Sequence, residues 1–97
     1  MHVISKKPLR DFWDKHADAK SPLVEWHARM KRAQYATHHD VQKDLPKVSI
    51  LKGGRVVFNI GGNKYRLVVC MDYVRQWVYV KFVGTHKEYD AIDAETV

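Results

Sequence analysis

The apolar pattern of this chain changes period at Pro46, and that change decides the class of fold. Before it, Leu9, Phe12, Trp13 and His16 recur at i, i+3, i+4 and i+7, while Leu23, Trp26, Met30 and Ala33 fall on one face of a second helical stretch. After it, residues 48–51, 55–60, 65–73 and 77–83 are β-branched, aromatic or alternating, and Gly53-Gly54 and Gly61-Gly62-Asn63 separate them as turns. Helices gathered first and strands gathered after them predict an α+β fold built on an antiparallel meander.

Local signals refine the plan. His2-Val3-Ile4-Ser5 reads as a short opening strand, and Pro8 sits where the first turn of a helix tolerates a missing N–H. Ser21-Pro22 predicts an N-cap followed by a first-turn proline, and Val41 with Leu45 permits a short third helix that Pro46 ends. Within the meander Val56, Phe58, Ile60, Leu67, Val69 and Met71 share one face, which helices can cover. Arg55, Asn59, Arg66 and Asp72 share the other. Two or three N-terminal helices are therefore expected on one face of a small antiparallel sheet that the short N-terminal strand joins.

Ninety-seven residues support one hydrophobic core, so residues 1–97 are expected to form a single domain. Seventeen Lys and Arg against 11 Asp and Glu leave a formal charge of +6, which favours polyanionic partners, nucleic acid first. Cys70 stands alone, which leaves no internal disulfide and no cysteine cluster for metal. No apolar run approaches the length of a membrane span, so the expectation is a cytoplasmic protein with no membrane partner. The six histidines lack metal-ligand spacing, and the glycine pairs lack the following helix of a phosphate loop, so neither metal nor cofactor is expected.

The residues richest in chemistry close the meander: Thr85-His86-Lys87-Glu88-Tyr89-Asp90. An imidazole takes and returns a proton near neutral pH. Lys87 supplies positive charge, Tyr89 a flat ring for stacking, and Arg66, placed by strand parity on the open face, a fork for phosphate. Asp90 or Glu88 could orient His86, and a solvated role suits Glu88 better. A non-catalytic RNA- or DNA-binding module, or a subunit that docks an acidic protein, would use the same charges without proton transfer.

Val57-Phe58-Asn59-Ile60-Gly61-Gly62-Asn63, then Tyr65-Arg66-Leu67-Val68-Val69, then residues 85–90, in this order and spacing, resemble the HigB family of toxins within the RelE-like superfamily. The resemblance extends over the N-terminal strand and helices. It implies an endoribonuclease that cleaves mRNA on the translating ribosome without a metal, the RNA lying on the sheet face opposite the helices. It further implies a helix-turn-helix antitoxin of the HigA type, with DNA reached only through the toxin–antitoxin complex. Arg66 matches the arginine that meets the scissile phosphate, and His86, Lys87 and Tyr89 match the residues after the last strand that move protons, hold charge and stack a base. Lys52, Arg55, Asn59, Lys64 and Asp90 complete the expected RNA-contacting set.

Overall fold

A computed structural model describes residues 1–97. The chain runs β1 His2–Ile4, α1 Lys7–Lys15, a 3-10 turn Ala17–Ala19, α2 Lys20–Arg32, α3 His38–Asp44, β2 Ser49–Ile50, a 3-10 turn Lys52–Gly54, β3 Arg55–Ile60, β4 Tyr65–Asp72, β5 Trp77–Thr85 and α4 His86–Asp90. The strands form one five-stranded sheet in the order β1-β5-β4-β3-β2. From β2 to β5 every pairing is antiparallel, as the meander requires. β1 joins β5 in parallel, with His2 opposite Trp77 and Ile4 opposite Tyr79, so the finished sheet is mixed.

The expected core face is the observed one. Val56, Phe58, Ile60, Leu67, Val69 and Met71 are buried against Leu9 and Phe12 of α1, Leu23, Trp26 and Met30 of α2 and Val41 of α3. Each such side chain contributes about 1.5–3 kcal/mol on leaving water, which outweighs the modest intrinsic preferences of helices this short. Aromatic contacts knit the layers: Phe12 meets Tyr65 edge-on at 5.1 Å and Trp26 meets Phe58 at 5.5 Å.

One helix start differs from the sequence reading. α2 begins at Lys20 with Ala19 at its N-cap and no side-chain cap, so Ser21 lies inside the first turn. The 3-10 turn Ala17–Ala19 runs straight into the helix and supplies its entry. Pro22 remains in the first turn, where its missing N–H costs nothing.

The second face of the sheet is not bare. Val57 and Val68 are buried there, outside the main core cluster. α4 packs on β4 and β5, and the segment after it returns toward β3, where the Arg55 guanidinium donates to the main-chain oxygen of Val97 at 2.7 Å.

Candidate active site

Three strands set one row of residues at the hairpin end of the second face. Asn59 on β3 stands opposite Arg66 on β4, and Arg66 stands opposite Gly84 on β5. α4 starts two residues beyond Gly84. A strand advances about 3.3 Å per residue, so the register starts α4 about 7 Å along the chain from the Arg66 row although nineteen residues of sequence lie between Arg66 and His86.

The hairpin turn shapes the arginine. Gly61 and Gly62 take φ of 64° and 73°, the left-handed region that a β-carbon disfavours, and this folds the main chain back beneath the guanidinium. Arg66 Nη1 donates to the Asn63 carbonyl at 3.2 Å and to the Tyr65 carbonyl at 3.4 Å. Its Nη2 and Nε make no protein hydrogen bond, leaving donors of a planar fork for an anion.

The segment after β5 is a helix. Thr85 Oγ1 accepts from the Glu88 N–H at 3.2 Å, and the Glu88 carboxylate accepts from the Thr85 N–H at 2.8 Å. This reciprocal capping box starts α4, and the Thr85 N–H holds the Glu88 carboxyl below the usual carboxylate range. Glu88 is therefore a capping residue, exposed and without a bond to His86. Five residues give too little length for a readable period, but the Thr-x-x-Glu spacing was a signal for this helix start.

Helical spacing sorts the candidate side chains. His86, Tyr89 and Asp90 lie at i, i+3 and i+4 on one face, whereas Lys87 is turned about 100° away from His86. His86 Nδ1 lies 3.3 Å from Asp90 Oδ2. In the tautomer with hydrogen on Nδ1, the imidazole donates to Asp90 and keeps the Nε2 lone pair free for a proton. Both side chains are exposed, so the pair adds orientation rather than stability.

Two unexpected residues complete the surroundings. Gly84 is buried, and a β-carbon there would stand 2.5 Å from Phe82 Cζ and 3.1 Å from Glu88 Oε1. The Phe82 ring thus lies over Gly84, beside Arg66 and against the capping residue of α4. Neither residue carries a polar signal that would single it out in the sequence.

Register sets Asn59 beside Arg66, and α4, which carries His86, Lys87, Tyr89 and Asp90, packs on the strands that hold this row; three other candidates lie apart from it. Lys64 forms an ion pair with Asp18, to which the Tyr65 hydroxyl also donates at 2.6 Å, so the amine is drawn toward the helical layer. Hydrogen bonding with Asp18 raises Lys64, and the bonds from Lys64 and Tyr65 lower Asp18. Arg55 starts β3, about 13 Å along the strand from Asn59. Its guanidinium is occupied by Val97 and by the Gly53 carbonyl at 3.4 Å, with Nε buried. Lys52 is exposed on the turn before it. No three His, Cys, Asp or Glu side chains converge in a metal-binding cluster, and no helix is long and apolar enough to cross a membrane.

A family model for a RelE-like toxic component of a toxin-antitoxin system, the HigB toxin, matches residues 19–92, which take in the Arg66 row and all of α4. The chain belongs to the HigB toxin family. It is 31% identical over 96 residues to the mRNA interferase toxin HigB of Escherichia coli K12, covering 97% of this chain and 92% of the relative. The same identity and coverage hold for the mRNA interferase HigB of Shigella flexneri. The mRNA interferase HigB of Escherichia coli O6:H1 is 26% identical over 94 residues, 95% of this chain and 91% of the relative. HigB membership thus rests on a match running through both layers of the fold.

Proposed function

We propose that this HigB family member is an endoribonuclease that cleaves mRNA on the translating ribosome by metal-independent acid–base chemistry, and that a HigA-type helix-turn-helix antitoxin neutralises it. The observation that carries the reading is the placement of a half-free arginine fork at the strand register that leads into a His–Asp pair on α4. The relatives named as mRNA interferases supply the substrate class.

In this mechanism the 2′-hydroxyl of the substrate gives its proton to His86 Nε2 and attacks the adjacent phosphorus. The P–O5′ bond breaks, the 5′-oxygen takes a proton from water, the His86 imidazolium returns its proton to solvent, and a 2′,3′-cyclic phosphate remains. Arg66 meets the negative charge that builds on the phosphoryl oxygens, with Lys87 adding longer-range attraction. Tyr89 stacks a neighbouring base, and Asn59, across from Arg66, hydrogen-bonds the RNA. Asp90 holds the imidazole in its working tautomer.

A site with one imidazole and few clamps gains from a substrate already held in reactive geometry, which is what a ribosome provides to mRNA. Cytoplasmic action on translated message follows, with DNA contacted only by the antitoxin complex. The deciding experiment maps cleavage by primer extension in cells expressing the toxin, its His86→Ala form or its Arg66→Ala form. New 5′ ends within translated codons, lost in both variants, are expected. Wild-type cutting by His86→Ala would remove His86 from the chemistry, and equal cutting of free RNA would remove the ribosome.

A further inference from the structure

A cleft of about 810 Å³ opens on the helical side, between α2, the α3–β2 connection and the end of β3. Trp26, Leu45, Val48, Phe58 and Ile60 make its apolar bed, and Glu25, Arg29 and Lys47 stand at its rim. It lies where β2 would continue if the chain did not turn away at Pro46. β2 is only Ser49–Ile50, and its partners on β3 end at Val57.

That short strand leaves a specific piece of backbone unpaired. The Leu51 N–H donates to the Arg55 carbonyl at 2.8 Å, so the odd-numbered residues of β3 turn their main-chain groups toward β2. Asn59 is next in that series after Val57, and no main-chain bond reaches it from residues 45–48. One donor and one acceptor therefore face the cleft beside an apolar bed. An unpaired sheet edge of this kind is a template for an added strand.

We propose that the cleft is a docking site for an extended segment of the antitoxin, which adds to the free edge of β3 at Asn59 and lays alternate apolar side chains onto Trp26, Val48, Phe58 and Ile60. Charge selects the occupant. The chain carries +6 and Arg29 is paired with Asp44 at 3.2 Å, while Lys47 and Glu25 have no ion-pair partner, so the segment carries a carboxylate to meet Lys47 and a basic residue where it passes Glu25. A strand bound here also grips the backbone of the residue whose side chain lies opposite Arg66. Antitoxin binding then reaches the proposed RNA row through Asn59 without covering α4. The proposal rests on the antitoxin partnership given above and on no step of the cleavage mechanism.

The test is residue-resolved amide hydrogen exchange on the free toxin and on the complex purified with its co-expressed, neutralising antitoxin. The Asn59 amide exchanges freely in the toxin alone and slows by at least about tenfold in the complex. Lys47→Glu weakens antitoxin binding by about tenfold while ribosomal mRNA cleavage keeps its wild-type rate. Unchanged Asn59 exchange in a fully neutralised complex overturns the proposal. Asn59 protection in the free toxin that rises with its concentration also overturns it, because the edge then pairs with a second copy. A toxin found not to cut RNA leaves the exchange result interpretable, so the two readings fail separately.

Discussion

The ring of Phe82 occupies the space that a β-carbon on Gly84 would need, 2.5 Å from that position. Gly84→Ala must therefore push the ring or the Glu88 carboxylate aside, and both border the proposed site. We expect a loss of about 1–3 kcal/mol, read as a drop of roughly 5–15 °C in Tm, and a larger fractional loss of cleavage. Adding Phe82→Leu in the same chain makes room and returns most of the Tm. Equal Tm for the parent and Gly84→Ala would show that the ring moves freely.

Arg66 is the one strand residue whose fork stays half unoccupied beside α4. Arg66→Lys keeps the charge but loses the planar donors, so cleavage falls by about 10²-fold or more while Tm changes little. Single-turnover rates on ribosome-bound mRNA measure the effect. A loss confined to KM would mean that the arginine binds substrate without favouring the transition state.

Arg55 anchors the C-terminal segment through Val97. Arg55→Ala is expected to speed proteolysis within residues 91–97 and to leave the salt dependence of RNA binding unchanged. Lys87→Ala should instead lower the slope of log K against log salt by about 0.7, the value for one single-strand phosphate contact. A similar fall in slope for Arg55→Ala would move that residue to the RNA.

Tyr35 and Asp44 form a hydrogen-bonded pair on the helix side that titrates at both ends of the pH scale. The Tyr35 hydroxyl donates to Asp44 at 2.6 Å, and burial, followed by that bond, pushes the phenol up to about 12, while the Tyr35 bond lowers the Asp44 carboxyl. A folded-state value raised above the unfolded one stabilises fully below the ordinary phenol range near 10 and loses that contribution as pH climbs to about 12. Lowered carboxyls at Asp44 and Asp18 work in the opposite sense, stabilising above the ordinary value of 3.8 and losing it as pH falls through the folded values. Tyr35→Phe should lower Tm by roughly 2–5 °C at neutral pH and flatten the alkaline limb of Tm against pH between 10 and 12. Thermal melts across that range check it, and an unchanged limb would assign the alkaline transition to another tyrosine.

Where burial follows a period, the fold was legible: the stripe on α1, the parity of β3 and β4 and the stop at Pro46 are all read from spacing. Partners distant in sequence were not. Nothing local to Lys64 announces Asp18, and nothing beside Arg55 announces Val97, so both looked like free cations. The parallel seat of β1 on β5 likewise joins segments about seventy residues apart. At the site, strand parity and residue chemistry singled out Arg66 and His86, and the match over residues 19–92 gives their segments a family. Phe82 and Gly84 escaped because an apolar ring and a glycine acquire meaning there only through their contact.

The strand order has a temporal consequence. Asn59, Arg66 and Gly84 share a row, yet Gly84 and His86 are synthesised well after the other two. A nascent chain stopped before β5 already contains α1, α2, α3 and the Asn59–Arg66 pair, but has neither the capping box nor any residue of α4. Completion of the proposed site is thereby tied to one late pairing: until β5 joins β4, the candidate residues of α4 have no seat beside the Asn59–Arg66 pair.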